Sequence, residues 1–191
     1  IVDLTDEKTT SELLITFLSK NDIDILICNA GTGKAPSEVT SNNDLRDYFY
    51  SKNFLTAKNL INACIPFLKP KSLVIAISSI VALKDIEGAP REYAYAKQEL
   101  NKMFRNLAVE QASKEIRFNI ISPGNVYFST SRWEEISKLK PEFVQKMLRD
   151  DVPLHNFITP DEIAAAIIYL SSEGSRNITG LNLIIDGGQS L

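Results

Sequence analysis

The stretch "IDILICNAG", residues 23–31, is a nearly continuous apolar run closed by a glycine. Such a run is typical of a strand in a parallel sheet, because helices cover both faces and neither face needs polar residues. Three later segments have the same character: "SLVIAISS" (72–79), "IRFNIISPG" (116–124) and "GLNLIIDGG" (180–188). The first residues, Ile1–Leu4, are interpreted as the end of a further strand.

Helical patterns separate these strands. Apolar residues recur at helical spacing in "TTSELLITFLSKND" (9–22) and between Glu92 and Ser113. A polar stretch (32–44) precedes another long helical segment, which is expected to run through about Leu68 and to stop near Pro70. The alternation predicts an α/β fold with a doubly wound parallel sheet, Rossmann-like, in three α/β/α layers.

The last helix has a clear start signal. Thr159 stands at the N-cap, Pro160 at the first helical position and Glu162 at the third, where it can close a capping box. No repeat or linker interrupts the chain, so residues 1–191 are interpreted as one domain.

Composition excludes several classes of function. Lysine plus arginine total 21 against 24 acidic residues, interspersed along the chain, which argues against a nucleic-acid partner. The longest apolar run (73–83) is too short to span a bilayer, and without an export signal a cytoplasmic location is expected. Cys28 and Cys64 are expected to be buried free thiols, and His155, the only histidine, argues against a metal site or a serine–histidine hydrolase.

Three strands end in small or hydroxyl residues. These ends are "CNAG" (28–31), "SSI" (78–80) and "SPGNV" (122–126). The carboxyl ends of parallel strands meet at one edge of a sheet, where ligands bind in doubly wound folds. The sequence therefore predicts a ligand site at this edge.

A tyrosine and a lysine follow the second of these strands in "REYAYAKQEL" (91–100). Tyr93 and Lys97 are four residues apart, so both lie on one face of the predicted helix. One ammonium about 4 Å away, at an effective dielectric of ~20, could lower the pKa of a phenol by ~3 units, which would make Tyr93 an acid or base near pH 7. Tyr95 points to another face and is interpreted as a packing residue.

Together these motifs resemble a known family. "NAG" (29–31), the serine pair 78–79, Y-x-x-x-K (93–97), "PG" (123–124) and "ITG…DGG" (178–188) occur in the order and spacing of the short-chain dehydrogenase/reductase family, in the subgroup similar to β-ketoacyl-ACP reductases. The likeness runs essentially from Ile1 to the end. It implies an oxidoreductase that moves a hydride between NAD or NADP and a carbonyl or secondary alcohol, with a small-molecule substrate.

The resemblance also implies the roles of individual residues. Tyr93 would donate or accept the proton, Lys97 would lower the pKa of Tyr93 and bind the nicotinamide ribose, and Ser79 would hold the substrate oxygen. Asn53 would hold a water in the proton relay, or else be only a helix-kink residue. The residues implied to contact the cofactor, besides Tyr93 and Lys97, are Asp3, Leu4, Asn29, Ala30, Gly31, Pro123, Gly124, Asn125 and Val126. Asp3 could alternatively be a simple N-cap.

Two features depart from the family pattern. The threonine expected after the PG motif is replaced by Phe128, and Ser129 or Thr130 could take over its contact with the cofactor phosphates. The glycine-rich β-α-β-α portion that opens the family fold is missing, so the chain is interpreted as a fragment that lacks roughly 50–60 residues at ~30 per unit. The residue that selects NAD or NADP would lie in that portion.

Other readings remain open on the sequence. Residues 126–158, which include Trp133 and Phe143, are interpreted as a substrate loop and lid. A nucleotide-sugar epimerase or dehydratase shares the Tyr–Lys pair, and a non-catalytic dinucleotide sensor or scaffold could share the fold. Family likeness further implies a homodimer or homotetramer, with the helices around 43–68 and 93–113 as the usual contacts.

Overall fold

The computed structural model describes residues 2–191 and contains one parallel sheet. Its four strands are β1 (Ile23–Cys28), β2 (Leu68–Ile77), β3 (Arg117–Pro123) and β4 (Asn182–Ile185). They lie side by side in the order β1-β2-β3-β4, and each neighbouring pair is parallel. The predicted α/β class and the four strand segments are confirmed.

Helices connect the strands. Among the described residues they are α1 (Glu7–Leu18), α2 (Asn42–Tyr50), α3 (Thr56–Cys64), α4 (Arg91–Glu110), α5 (Arg132–Leu139), α6 (Pro141–Asp151) and α7 (Pro160–Ser171). A π-helical turn, Ser51–Leu55, joins α2 to α3 without a break. None of the described helices has the length and apolar character needed to cross a membrane.

Two hydrophobic clusters cover opposite faces of the sheet, which confirms the three layers. The larger cluster packs Ile61 of α3 and Phe104 of α4 against Phe118 and Ile120 of β3. The smaller cluster joins β2 and β3 to Leu170 of α7. Along β3, Ile120 and Ile121 enter different clusters because successive strand residues point to opposite faces.

The first residues do not form the predicted strand. Ile1 lies outside the described residues, and Val2–Leu4 are irregular, because no described strand lies beside them to pair with their backbone. Instead Asn59 donates its side-chain amide to the carbonyl of Leu4 at 3.0 Å. The N-cap of α1 is Asp6, so the interpretation of Asp3 as the N-cap is wrong.

The helix predicted to reach Leu68 ends earlier. α3 stops at Cys64, a 3₁₀ turn covers Ile65–Phe67, and β2 already begins at Leu68. Pro66 explains the early stop, because proline lacks the N–H that a continued helix would need. Pro70 therefore lies inside β2, where the pairing register with β1 shifts.

Strand β1 forms one edge of the sheet. Ile25 and Ile27 are 46% and 40% exposed, and Leu13 and Phe17 of the neighbouring α1 are exposed as well. Strand β1 was predicted to be covered by helices on both faces, but within the described residues it is only partly covered. Cys28, at the end of the same strand, and Cys64 are buried free thiols, as predicted.

The capping box at the start of α7 is confirmed. The Thr159 hydroxyl accepts from the backbone N–H of Glu162, and the Glu162 carboxylate accepts from the N–H of Thr159 at 2.7 Å. We expect Thr159→Ala to lower the free energy of unfolding by about 1 kcal/mol, because the N–H of Glu162 loses its acceptor. Urea unfolding checks this, and Thr159→Ser, which keeps the hydroxyl, should stay close to the wild type.

Candidate active site

A cleft of about 710 Å³ opens at the carboxyl ends of the strands. It is lined by all three predicted strand ends, namely Asn29, Gly31, Ile77, Ser78, Ser79, Pro123, Gly124 and Val126, together with Tyr93. Residues of α7 and Phe128 complete its wall. The three strand ends meet at one cleft, as predicted; that a ligand binds there stays a prediction.

Tyr93 and Lys97 lie on the same face of α4. The Lys97 ammonium is 5.9 Å from the centroid of the Tyr93 ring, and Nζ donates to the carbonyl of Ile77 at 2.9 Å. Lys97 is almost completely buried, while Tyr93 is half-buried with its ring on the cleft wall. Tyr95 points elsewhere and stacks on Tyr50 with 6.4 Å between ring centroids, so the two tyrosines have separate environments.

The pKa of Tyr93 is shifted in the direction opposite to the prediction. Burial raises the pKa of the phenol, and a hydrogen bond with Ser79 opposes this only partly. Burial also lowers the pKa of Lys97 to about 8. Desolvation disfavours the charged form of each group, and at the separation of the two side chains it outweighs their attraction. At neutral pH Tyr93 is therefore a neutral phenol with a proton to donate.

Lys97 has donors to spare. An ammonium carries three N–H bonds, and the carbonyl of Ile77 is the one acceptor it finds within the described residues. Because buried polar groups are normally satisfied, the remaining donors fit a ligand with hydroxyl acceptors. The two ribose hydroxyls next to the nicotinamide of a cofactor are acceptors of this kind.

The two serines after β2 have different surroundings. Ser79 caps a short 3₁₀ turn, Ile80–Ala82, through its Oγ, and its hydroxyl acts to lower the pKa of the Tyr93 phenol. The Oγ of Ser78 is buried in the cleft wall and has no hydrogen-bond partner within the described residues. Ser79 is thus the serine that acts on the phenol, as the resemblance implies.

Asn53 lies in the π-helical turn, where its side chain is fully engaged. Its amide accepts from the N–H of Thr32 and donates to the carbonyls of Thr32 and Phe49, each at 3.0 Å. The contact with Phe49 satisfies a helix carbonyl at the turn, as the kink interpretation requires. Asn53 is more than a helix-kink residue, because its two hydrogen bonds with Thr32 also fix the loop after β1 beside the cleft. The water-holding role stays a prediction.

Gly31 provides the space between Asn53 and Lys97. A Cβ at this position would lie 2.7 Å from Oδ1 of Asn53 and 3.4 Å from Nζ of Lys97. We expect Gly31→Ala to destabilise the fold by about 1–3 kcal/mol, because the amide of Asn53 must leave its hydrogen bonds to Thr32. The midpoint of urea unfolding measures this.

Gly33→Ala is the matched control for that variant. A Cβ at Gly33 would meet the Tyr93 ring at an ordinary 3.8 Å. This variant should therefore keep wild-type stability or gain a little, because alanine reduces the freedom of the unfolded chain. Equal stability of both variants would contradict the role given to Gly31.

The other residues implied to bind the cofactor lie at different distances from the cleft. Ala30 stands between two lining residues, and its carbonyl accepts from the Thr56 hydroxyl at 3.5 Å. Asn125 follows Gly124 and lines a smaller adjoining cavity of about 240 Å³. Asn59 of α3 donates to the carbonyls of Leu4 and Thr5, and neither Asp3 nor Leu4 lines either cavity.

Phe128 replaces the family threonine on the cleft wall itself. Ser129 and Thr130, the predicted substitutes, are exposed and do not line the cleft. The backbone N–H of Thr130 is already taken by the Glu134 carboxylate at 2.8 Å. Neither residue therefore takes the place of the missing threonine in this arrangement.

The segment predicted to form the lid, residues 126–158, contains α5 and α6. Two contacts join it to the loop after β1: Lys34 pairs with Glu135 at 3.1 Å, and Arg132 donates to the carbonyl of Gly33 at 3.4 Å. Between the lid and α2 lies an apolar groove of about 570 Å³, which shares five lining residues with the smaller cavity beside Ser79 and Tyr93.

Sequence reasoning missed Phe49, Arg132 and Asn59. The Phe49 ring packs 5.8 Å from the Tyr93 ring, centroid to centroid, and lines the apolar groove. Arg132 lines both the groove and the smaller cavity. For Arg132 a signal existed, because a cation beside aromatic residues in a predicted lid stands out; Phe49 and Asn59 look like ordinary helix residues in the sequence.

Comparison with known proteins agrees with this geometry. A family model described as enoyl-(acyl carrier protein) reductase matches residues 1–190. The chain is 32% identical to the 3-oxoacyl-[acyl-carrier-protein] reductase FabG of Chlamydia trachomatis, covering 100% of this chain and 75% of the relative. It is also 32% identical to the oxidoreductase UcpA of Escherichia coli O157:H7, covering 88% of this chain and 66% of the relative.

Solved structures agree as well. The Pseudomonas aeruginosa RhlG/NADP active-site complex superposes with a TM-score of 0.85 at 26% identity, covering 100% of this chain and 75% of that one. Sequence family, fold and the order of the site motifs thus point the same way. The chain belongs to the short-chain dehydrogenase/reductase family of NAD(P)-dependent oxidoreductases, in the branch similar to 3-oxoacyl-ACP reductases.

Proposed function

We propose that the protein reduces a ketone to a secondary alcohol, or runs the reverse oxidation, with Tyr93 as the proton donor or acceptor. The observation that supports this most is the placement of Ser79 and Tyr93 side by side on the cleft wall, with the Lys97 ammonium 5.9 Å from the phenol ring. The bound nicotinamide cofactor supplies the hydride equivalent for the carbonyl carbon.

The cleft suits the nicotinamide half of such a cofactor. Residues proposed to border it are Asn29, Ala30, Gly31, Pro123, Gly124, Asn125 and Val126. The two glycines are needed for packing within the protein beside the cleft: at Gly124, for example, a Cβ would lie 2.9 Å from Cβ of Asp186. The spare donors of Lys97 are proposed to bind the ribose hydroxyls, and Asp3 and Leu4 stay candidates for the adenine end.

The proposed proton transfer uses the chain's own groups. Ser79 donates a hydrogen bond to the carbonyl oxygen of the substrate and holds it beside Tyr93. Tyr93, whose pKa burial raises further above physiological pH, is a neutral phenol and gives its proton to that oxygen as negative charge develops there. The protonated Lys97 stabilises the resulting phenolate until a proton returns from solvent, either through Asn53 and a water or directly.

Relatives suggest the kind of substrate. The closely matching FabG relatives are 3-oxoacyl-ACP reductases by name, so we propose a ketone on an acyl-like chain as the first substrate class to test. The apolar groove beneath the lid supports this choice, since Leu45, Phe49, Ile136 and Phe143 line it.

A spectrophotometric assay tests the proposed function. Oxidation of NADH and of NADPH is followed at pH 7 against a panel that includes an acetoacetyl thioester, simple methyl ketones and cyclic ketones. Consumption of either cofactor that depends on one of these carbonyls supports the proposal. Cofactor binding without consumption across the panel would favour the alternative of a dinucleotide sensor.

A further inference from the structure

The cavity beside Tyr93 and the apolar groove under the lid share a cationic residue at their junction. Arg132, at the first position of α5, lines both spaces, as do Gly33, Pro90, Ile136 and Phe143. A substrate whose carbonyl contacts Ser79 and Tyr93 and whose chain enters the groove must therefore pass the Arg132 side chain.

Arg132 is exposed, and most donors of its guanidinium are not used by protein groups. It makes one long hydrogen bond, from Nη1 to the carbonyl of Gly33 at 3.4 Å, and has no ion-pair partner within the described residues. A guanidinium carries five N–H donors in a planar fork, which matches a carboxylate or phosphate group with two parallel hydrogen bonds.

Other charges around the two spaces leave Arg132 available. Lys34 and Glu135 form an ion pair with each other, so their charges largely cancel. Lys140 lines the far part of the groove and has no carboxylate within ion-pair distance among residues 2–191. Glu87, in the loop before α4, is the one acidic side chain lining the smaller cavity, and it is not within ion-pair distance of Arg132.

We propose that Arg132 determines specificity for ketones that carry a negatively charged oxygen group, a carboxylate or a phosphate monoester, on an apolar chain. The apolar chain lies against Phe49 and Phe143, and the anionic group pairs with the guanidinium near the entrance of the Tyr93 cavity. This inference rests on the proposed function for the position of the ketone, but its binding test does not require turnover.

Binding calorimetry with matched ligands tests the proposal. The first pair is 4-oxodecanoate and its methyl ester, and the second is a keto-alkyl phosphate and the corresponding keto alcohol. We expect the anionic member of at least one pair to bind more tightly, and Arg132→Gln to weaken its binding about tenfold or more while the uncharged member changes less than twofold. The pair that responds identifies the anionic group.

Controls separate this charge effect from other roles of Arg132. If Arg132 only holds the lid through Gly33, Arg132→Gln will weaken acid and ester equally, which overturns the proposal. Lys140→Gln removes a cation from the far part of the groove and should leave the preference for the anion intact. Glu87→Gln removes the opposing charge and should strengthen binding of the anion.

The outcome is independent of the reductase assay. Should the wild type bind neither anion more tightly than its uncharged partner, the inference about Arg132 is wrong even if ketones are reduced. If the preference for the anion depends on Arg132 but no carbonyl in the panel is reduced, the proposed reductase function is wrong and the proposed anion site is supported.

Discussion

Replacing Tyr93 by phenylalanine is expected to lower the turnover of ketone reduction by a factor of about 10²–10⁴, the usual contribution of a positioned proton donor. The substitution removes only the phenolic oxygen, so the ring contact with Phe49 is kept and the cleft wall keeps its shape. Cofactor affinity should change little, because Lys97 keeps its spare donors. Initial rates with the best carbonyl of the panel measure turnover, and the rise in melting temperature on adding NADPH or NADH measures binding.

Tyr95→Phe is the matched control for this prediction. Tyr95 lies two residues further along α4, is about half exposed and stacks on Tyr50, so loss of its hydroxyl should leave turnover within about twofold of the wild type. A Tyr93→Phe variant that keeps more than a tenth of the wild-type rate would contradict the role of the phenol as proton donor.

The Lys97→Met variant should combine a large loss of activity with an altered dependence of stability on pH. Turnover should fall about 10²-fold or more, because the charge that stabilises the phenolate is removed. The pKa of Lys97 in the folded protein is about 8, against an ordinary value of 10.5, because the ammonium is buried. The unfolded chain therefore binds this proton more tightly than the folded protein does.

The sign of the pH effect follows from that difference. Between about pH 8 and 10.5 the unfolded state keeps the Lys97 proton while the folded state loses it, so the contribution of Lys97 to stability rises with pH. At ~1.36 kcal/mol per unit the total rise is about 3 kcal/mol. The wild type should therefore gain about this much free energy of unfolding relative to Lys97→Met when the pH is raised from 7 to 10.5.

Comparison of the two proteins isolates this contribution. Burial raises the pKa of Tyr93, of Cys28 to about 12 and of Cys64 to about 11, which lowers stability at high pH in both proteins. Because the Lys97 ammonium lowers the pKa of Cys28, both proteins are compared in a Cys28→Ala background. Urea unfolding of both proteins at several pH values provides the difference at each pH. Curves that stay parallel from pH 7 to 10.5 would mean that Lys97 is not desolvated as described.

Local patterns in the sequence were enough to predict the layers of the fold and the edge at which the site lies. Apolar runs mark strands that helices cover, and the parallel arrangement alone brings Gly31, Ser79 and Gly124 together. Helix ends were predicted well where a side chain caps them, as at Thr159. The end of α3 before Pro66 was not predicted, because the apolar pattern continues past this proline.

The sequence could not predict properties that depend on the three-dimensional surroundings of a residue, such as its burial and its partners far along the chain. The pKa of Tyr93 depends on how far burial outweighs a nearby ammonium, and spacing along a helix contains no information on burial. The engagement of Asn53 with Thr32 joins residues 21 positions apart. Val2–Leu4 have strand-like residues but no described neighbour to pair with, and pairing is a property of the whole sheet.

The π-helical turn at Ser51–Leu55 sets the rotational phase between two helices that otherwise run on continuously. An α-helix advances by about 100° per residue, so the extra residue of a π turn swings everything before it around the axis by that angle. Phe49 thereby faces Tyr93 while Ile61, further along, faces the sheet. Shortening this segment by a single amino acid would turn Phe49 away from the phenol, so chain length matters here as much as chemistry.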